Sequence, residues 1–493
     1  MSSDTVVPAP PAAGPAWRWP RPRVPARPRV LAGAATVGLV TAVSLPVDGP
    51  GIGWLVAATA LVAFLAGSRS EQPDAARAGW AAATVLLAGV GSVRAAEWLF
   101  ALCLLAAGVT GSLALTRGSG AFALAVRVGA LPLGVLRAPR WAAAGLVAAG
   151  RRTATTDRIT AVRMAATAAV SVTLLIVFGS LLVAADPAFA DLLDDVVPDL
   201  PATAGVGRLL LFGLATVVAL GGAAVLAAPF EGPGAEPSPT RVRRAEWAVP
   251  VAALVALFTA FVVVQVTVLF GGATHVLGTG GPTYAEYARG GFWQLLAVTA
   301  LTLAVLAAAG RYAPRELPAD RVLVRVLLGA LTVLTLVIVA SALYRMHTYE
   351  QAYGFTRLRV LVSVAEAWLG SVLLLVLAAG VRLRGRRLPE AAVAAAVAAL
   401  LGLAAANPDG LIADRNVARY AKTGSVDLTY LSGLSADAVP ALDRLPAPLR
   451  DCALARVAAR PGDDGDGWRG ANLGRAQART VLRRAPATPA ACP

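Results

Sequence analysis

VLVRVLLGALTVLTLVIVASAL (322–343), YRMHTYEQAYGFTRLR (344–359) and VLVSVAEAWLGSVLLLVLAAGV (360–381) together decide the architecture of this chain. The two apolar runs are each long enough, as helices, to cross the ~30 Å hydrocarbon core of a bilayer, which takes about 20 residues. The polar, aromatic segment between them is then a short crossing at one membrane face. Outward from this pair the pattern repeats. Further apolar runs lie near 30–47, 51–67, 77–93, 95–116, 163–185, 205–228, 246–270, 291–310 and 389–406. The expectation is an all-α, polytopic transmembrane bundle of about eleven spans.

Composition agrees. Of 493 residues, 57% are hydrophobic and 15% charged, against about 25% charged in soluble domains, and the mean hydropathy is +0.66. The net charge of +15 does not form one patch or a basic arm of the kind that binds nucleic acid. Its arginines sit at the ends of apolar runs, where positive charge sets orientation. With the N-terminus inside, cytoplasmic segments hold 26 arginines and the opposite loops 6: Arg94, Arg208, Arg289, Arg345, Arg357 and Arg359. The chain thus reads as a multi-pass protein of the cell membrane, N-terminus cytoplasmic and C-terminus extracytoplasmic, with the lipid bilayer as its first partner.

Several segments fall outside the spans. Residues 1–29 read as a disordered basic cytoplasmic arm. Residues 117–160 hold Arg127, Arg137, Arg140, Arg151, Arg152 and Arg158 among moderately apolar stretches and are expected to lie along the inner leaflet as an interfacial element. On the other face, Asp186, Asp191, Asp194, Asp195 and Asp199 match no calcium-loop spacing and read as a solvated acidic loop. Residues 407–485 become soluble in composition. Asn407 and Pro408 look like an N-cap and first helical residue, and Asp427 and Ser435 look like further caps. A small helical extracytoplasmic domain is expected there, followed by a disordered 486–493. Cys452 and Cys492 could pair if that tail is exported, or remain two thiols.

Residues facing away from the cytoplasm form the candidate functional cluster: Glu286, Arg289, Tyr349, Tyr353, Thr356, Arg357, Arg359 and Glu366. Tyr349 and Tyr353, four apart, share a helical face. Arginines on this side run against the inside bias and need partners; Glu286, Glu350, or anionic lipid headgroups at the outer face fit. Glu366 is the one acidic residue well inside an apolar span. Such a group is expensive in lipid and marks a site by default. Arg359, Ser363 and Glu366 line one helix face. The carboxylate is either proton- or substrate-linked, or a buried partner of Arg359 or Gln265. His275 and His347 read as ordinary loop histidines, and no metal or cofactor pattern is present.

Three stretches carry a resemblance: YAEYARGGFWQL (284–295), LYRMHTYEQAYGFTRLRV (343–360), and NPDGLIADRNVARY with DLTYLSGLSADAVPAL (407–442). They resemble the bacterial membrane proteins of domain-of-unknown-function family 4173, close to family 4153, with Tyr353, Gly354, Thr356 and Arg359 matching its core. The resemblance implies the architecture and no assigned activity. Function stays open among three classes. The first, favoured by default, is a non-enzymatic partner or sensing component that contacts envelope proteins. The second is a transporter or channel using Glu366, and the third an enzyme acting on a lipid-linked envelope substrate.

Overall fold

The computed structural model describes residues 22–46, 49–69, 74–151, 202–229, 242–270, 292–382, 385–459 and 467–486, with Pro20 and Gln72. The expectations for the arm up to residue 19, the span at 163–185, the acidic loop, Glu286, Arg289, His275 and Cys492 lie outside them. Among the described residues every regular element is helical.

Ten apolar helices occupy the runs read from the sequence: α1 (Pro28–Ser44), α2 (Ile52–Gly67), α3 (Ala75–Val93), α4 (Glu97–Leu115), α7 (Ala202–Ala227), α8 (Arg244–Phe270), α9 (Phe292–Tyr312), α10 (Pro318–Tyr353), α11 (Arg357–Arg382) and α12 (Leu388–Ala406). Eight of them are at least 18 residues long and apolar enough to cross a membrane; α1 and α2 are shorter. The protein is embedded in a membrane. Leucines, valines and phenylalanines such as Leu105, Leu214, Leu257 and Leu374 face outward. In water such a surface would be a severe liability; in hydrocarbon it is solvated.

Successive helices run antiparallel, so the bundle has two ends. At one, α1 finishes beside the start of α7, where Arg208 donates to the carbonyl of Ala42 at 2.8 Å. At the other, Arg127 is buried and closes the C-terminus of α4. Its guanidinium donates to the carbonyls of Gly118 at 2.7 Å and Leu113 at 3.2 Å and pairs with Glu390 at the start of α12. A cation on the exposed carbonyls of a helix end complements both the hydrogen bonding and the dipole.

Two helices follow α4: α5 (Ala121–Val128) and α6 (Ala130–Arg151). Length and hydropathy would let 121–149 cross, but the contacts of α6 keep it at this arginine-rich end. Leu131 donates to Ser112 near the end of α4, Gly134 meets the Gly221 carbonyl near the end of α7, and Trp141 Nε1 donates to Val24 ahead of α1. These contacts, on either side of Pro139, hold α6 against that end. The approach of α6 to α7 depends on Gly221, where a Cβ would stand 2.7 Å from Val135 N.

The largest departure from the sequence reading is α10. It runs 36 residues to Tyr353, so the span expected to end at Leu343 continues without a break into the helical face read at Tyr349 and Tyr353. Hydropathy falls there, yet no residue breaks the helix until Gly354, whose φ is +84°. At 1.5 Å per residue the helix is about 54 Å long and so projects well beyond a ~30 Å hydrocarbon core. Gly221→Val should cost about 1–3 kcal/mol through overpacking. The check is a lowered unfolding temperature in detergent with faster amide exchange confined to α6.

Candidate functional site

Beyond α12 the chain folds into a helical layer at the end opposite Arg127: α13 (Pro408–Thr423), α14 (Leu428–Ser432), a 3-10 turn (Ala436–Ala438), α15 (Val439–Leu442), α16 (Ala447–Ala459) and α17 (Leu473–Arg484). Asn407 takes a left-handed φ of +53°, tolerable for Asn, and its side chain caps Gly410 N–H; Asp427 caps Tyr430 N–H at 2.9 Å. Ser435 differs from its expected role: its hydroxyl is 3.3 Å from Asp437 Oδ2 and caps nothing. The layer shares one hydrophobic core with the spans, in which Leu87, Leu99 and Leu403 join Ile412, Leu431, Leu442 and Leu454.

A polar tie locks this layer down. Asp409, 0% exposed, accepts four hydrogen bonds. Arg357 Nε and Nη2 donate at 3.0 and 2.6 Å, Trp98 Nε1 at 3.1 Å and Ser435 N–H at 2.9 Å. Arg357 at the first turn of α11 also donates through Nη2 to the Gly433 carbonyl at 3.2 Å, and its backbone N–H reaches Tyr430 Oη at 2.6 Å. Burial alone would raise the Asp409 carboxyl, but the Arg357 guanidinium and the Ser435 N–H outweigh it and hold Asp409 below the usual carboxylate range.

Neighbouring contacts repeat the theme. Asp437 Oδ2 caps the start of α4, accepting from Ala95 and Ala96 N–H at 2.7 and 3.1 Å. Its Oδ1 is buried, without a partner among the described residues, against Gly474, which has no room for a Cβ, and burial pushes this carboxyl up. Asn472 donates to the carbonyls of Gly91 and Arg94 at the end of α3, while Arg94 in turn donates to Ala404 and Ala405 at the end of α12. Asn416 clamps the α10–α11 turn by bonding both the N–H and the carbonyl of Phe355. Gly354 is required there for its positive φ and because a Cβ would strike the Asn416 amide.

The expected cluster is only partly assembled. Tyr349 and Tyr353 stack at 4.8 Å, and the Arg359 guanidinium lies 4.4 Å over the Tyr349 ring. Arg359 also donates to the carbonyls of Tyr353 and Gly354, closing α10, and Thr356 Oγ1 accepts from Arg359 N–H at 3.4 Å. Arg357 pairs with Asp409 rather than with Glu350. Arg345 and Ser341 take up Gln265, so neither Gln265 nor Arg359 reaches Glu366. That carboxylate is 1% exposed and, among the described residues, has no hydrogen-bond partner on either oxygen. His347 bonds Gln351 at 2.8 Å. Cys452 is disulfide-bonded and Cys103 free and buried. Asp409, Asp437, Trp98 and Asn416 were not singled out from sequence; the signal available was the placement of Asp409 and Asn416 inside the stretch from 407 to 420.

Apolar helices in a bundle, closed at one end by a helical layer that shares their core, define a multi-pass membrane protein. The chain belongs to the family described as Domain of unknown function (DUF4153), whose profile matches residues 81–445. This corrects the first-named resemblance to 4173 in favour of its relative, and the matched region holds Trp98, Arg357, Asp409, Tyr430 and Asp437. Among curated proteins and among solved structures nothing matches significantly.

Removing Asp409 leaves Arg357 desolvated without its counter-charge. Asp409→Asn should therefore destabilise the layer by about 3–5 kcal/mol, seen as rapid proteolytic release of segments beyond residue 407. The depressed Asp409 carboxyl contributes stability above the unfolded carboxylate range of about 4, lost as pH falls through its lower folded value. Acid should loosen the wild-type layer, and Asp409→Asn should remove that part of the pH dependence.

Proposed function

We propose that the protein is a non-enzymatic component of the cell envelope. In this reading its N-terminus is cytoplasmic and its 407–485 layer stands outside, held rigidly to present a contact surface to another envelope protein. The observation that carries this reading is how the polar groups at the layer's end are engaged. Arg94, Arg208, Arg345, Arg357 and Arg359 bond helix ends, Gln265, Asp409 or an aromatic ring. A phosphate clamp or general base would need groups aimed at open space; these are aimed at the protein itself. Two observations support the sidedness. The arginine-rich end is the one expected in the cytoplasm, and a disulfide at Cys452 belongs in an oxidising compartment. The same sidedness would place α6 along the inner leaflet.

A second reading, proton- or substrate-linked transport, is favoured by Glu366 alone. A carboxylate buried in a spanning helix with neither oxygen bonded among the described residues is costly and calls for a role.

Two measurements separate these. Lys422 is exposed on α13, so Lys422→Cys should react with a membrane-impermeant maleimide in intact cells; reaction only after permeabilisation would reverse the orientation. In proteoliposomes carrying a pH-sensitive dye, wild type and Glu366→Gln should both match empty vesicles. A proton flux that disappears in Glu366→Gln would replace the partner reading with transport.

A further inference from the structure

At the arginine end, between α9, α10, α11 and the start of α12, lies a cavity of about 890 Å³. Arg311 on α9, Arg325 on α10, and Arg315 and Arg386 in the connections after α9 and α11 line it, and among the described residues no acidic residue does. The residues that lead into α5 (Ser119, Gly120, Ala121) and the first two of α12 (Leu388, Pro389) also face it, adding the positive ends of two helix dipoles. Its remaining wall is apolar: Leu306, Leu328, Val376 and Leu377. The contrast with the other end is chemical. There each described arginine among those between spans is bonded within the protein, whereas Arg325 and Arg386 are exposed at the cavity and have no hydrogen bond or ion pair among the described residues.

We infer that this cavity binds an anionic phospholipid, its headgroup phosphate among the arginines and the start of an acyl chain along the Leu306–Val376 wall. The charge calls for an anion, and guanidinium forks suit phosphate oxygens better than a bare ammonium would. Merely sorting arginine to one side of the bilayer would scatter it around the rim. Here four converge on one recess whose floor is hydrocarbon-like, which excludes a fully hydrated ion as the best occupant and fits an amphiphile. The inference does not rest on the outward layer or on its proposed partner.

Native mass spectrometry of the full-length protein in detergent tests it, with phosphatidylglycerol, phosphatidylcholine or inorganic phosphate added in separate arms. Wild type should retain phosphatidylglycerol in preference to phosphatidylcholine. The Arg325→Gln/Arg386→Gln variant should weaken that retention about tenfold, on the scale of losing charge-assisted bonds. A control pair of exposed arginines that do not line the cavity, Arg29→Gln/Arg140→Gln, should leave it unchanged. Equal retention by the cavity variant, equal loss in the control pair, or binding of inorganic phosphate without retention of the lipid would each overturn the assignment. Melting temperatures of all three proteins without added lipid separate loss of the site from loss of the fold.

Discussion

The architecture at the layer's end depends on one ion pair, Arg357 with Asp409. Asp409 is wholly buried and its four donors come from α4, α11 and the turn before Ala436. A buried charge is tolerated only where geometry and extra hydrogen bonds repay its desolvation. That requirement fixes the layer in one position. Shifting α13 by even one turn would strand the carboxylate, the guanidinium and the Trp98 indole together. Apolar contacts alone, such as Ile412 and Leu431 against Leu99, would permit neighbouring registers at little cost. The pair supplies specificity where the hydrophobic effect, which has no direction, cannot.

The lipid barrier imposes the other constraint, and the two ends of the bundle answer it differently. At the layer's end the backbone groups left over at four described helix termini are bonded by arginine, asparagine or aspartate side chains. Arg94 serves α12, Asp437 serves α4, Asn472 serves α3 and Arg359 serves α10. At the arginine end Arg127 performs the same task, but Arg325 and Arg386 stay open around a recess. At one end Arg94 and Arg359 are bonded within the protein, and the layer presents a rigid surface. The other retains cationic groups toward whatever lies at that interface.

Much of the bundle was legible because spanning helices announce themselves by length and hydropathy, without any need to know what they touch. The boundaries of α3, α4, α9 and α12 differ from the sequence reading by a residue or two. The span of α10 was ended at Leu343 because hydropathy falls there; the helical face of Tyr349 and Tyr353 beyond it was legible, but not that one unbroken helix carries both. The site was legible only as a region. Arg357, Arg359, Tyr349 and Tyr353 were picked for their chemistry, but pairing is a property of three-dimensional packing. Asp409 sits 52 residues from Arg357 and looked like an ordinary residue of a helix start. Glu366 was recognised as costly; that it would lie apart from both Arg359 and Gln265 was beyond one-dimensional spacing, since α11 turns Arg359 toward the end of α10.

The central claim is that Arg357 and Asp409 act as a unit that fixes the helical layer to the bundle. A double-mutant cycle with Arg357→Met, Asp409→Leu and the combined variant, followed by unfolding in mixed micelles, measures this directly. The account predicts a coupling of about 2 kcal/mol or more, the double variant being less damaged than the sum of the singles, because removing both charges spares the survivor's desolvation. Effects that add to within about 0.5 kcal/mol would mean the two side chains act independently, and would contradict it.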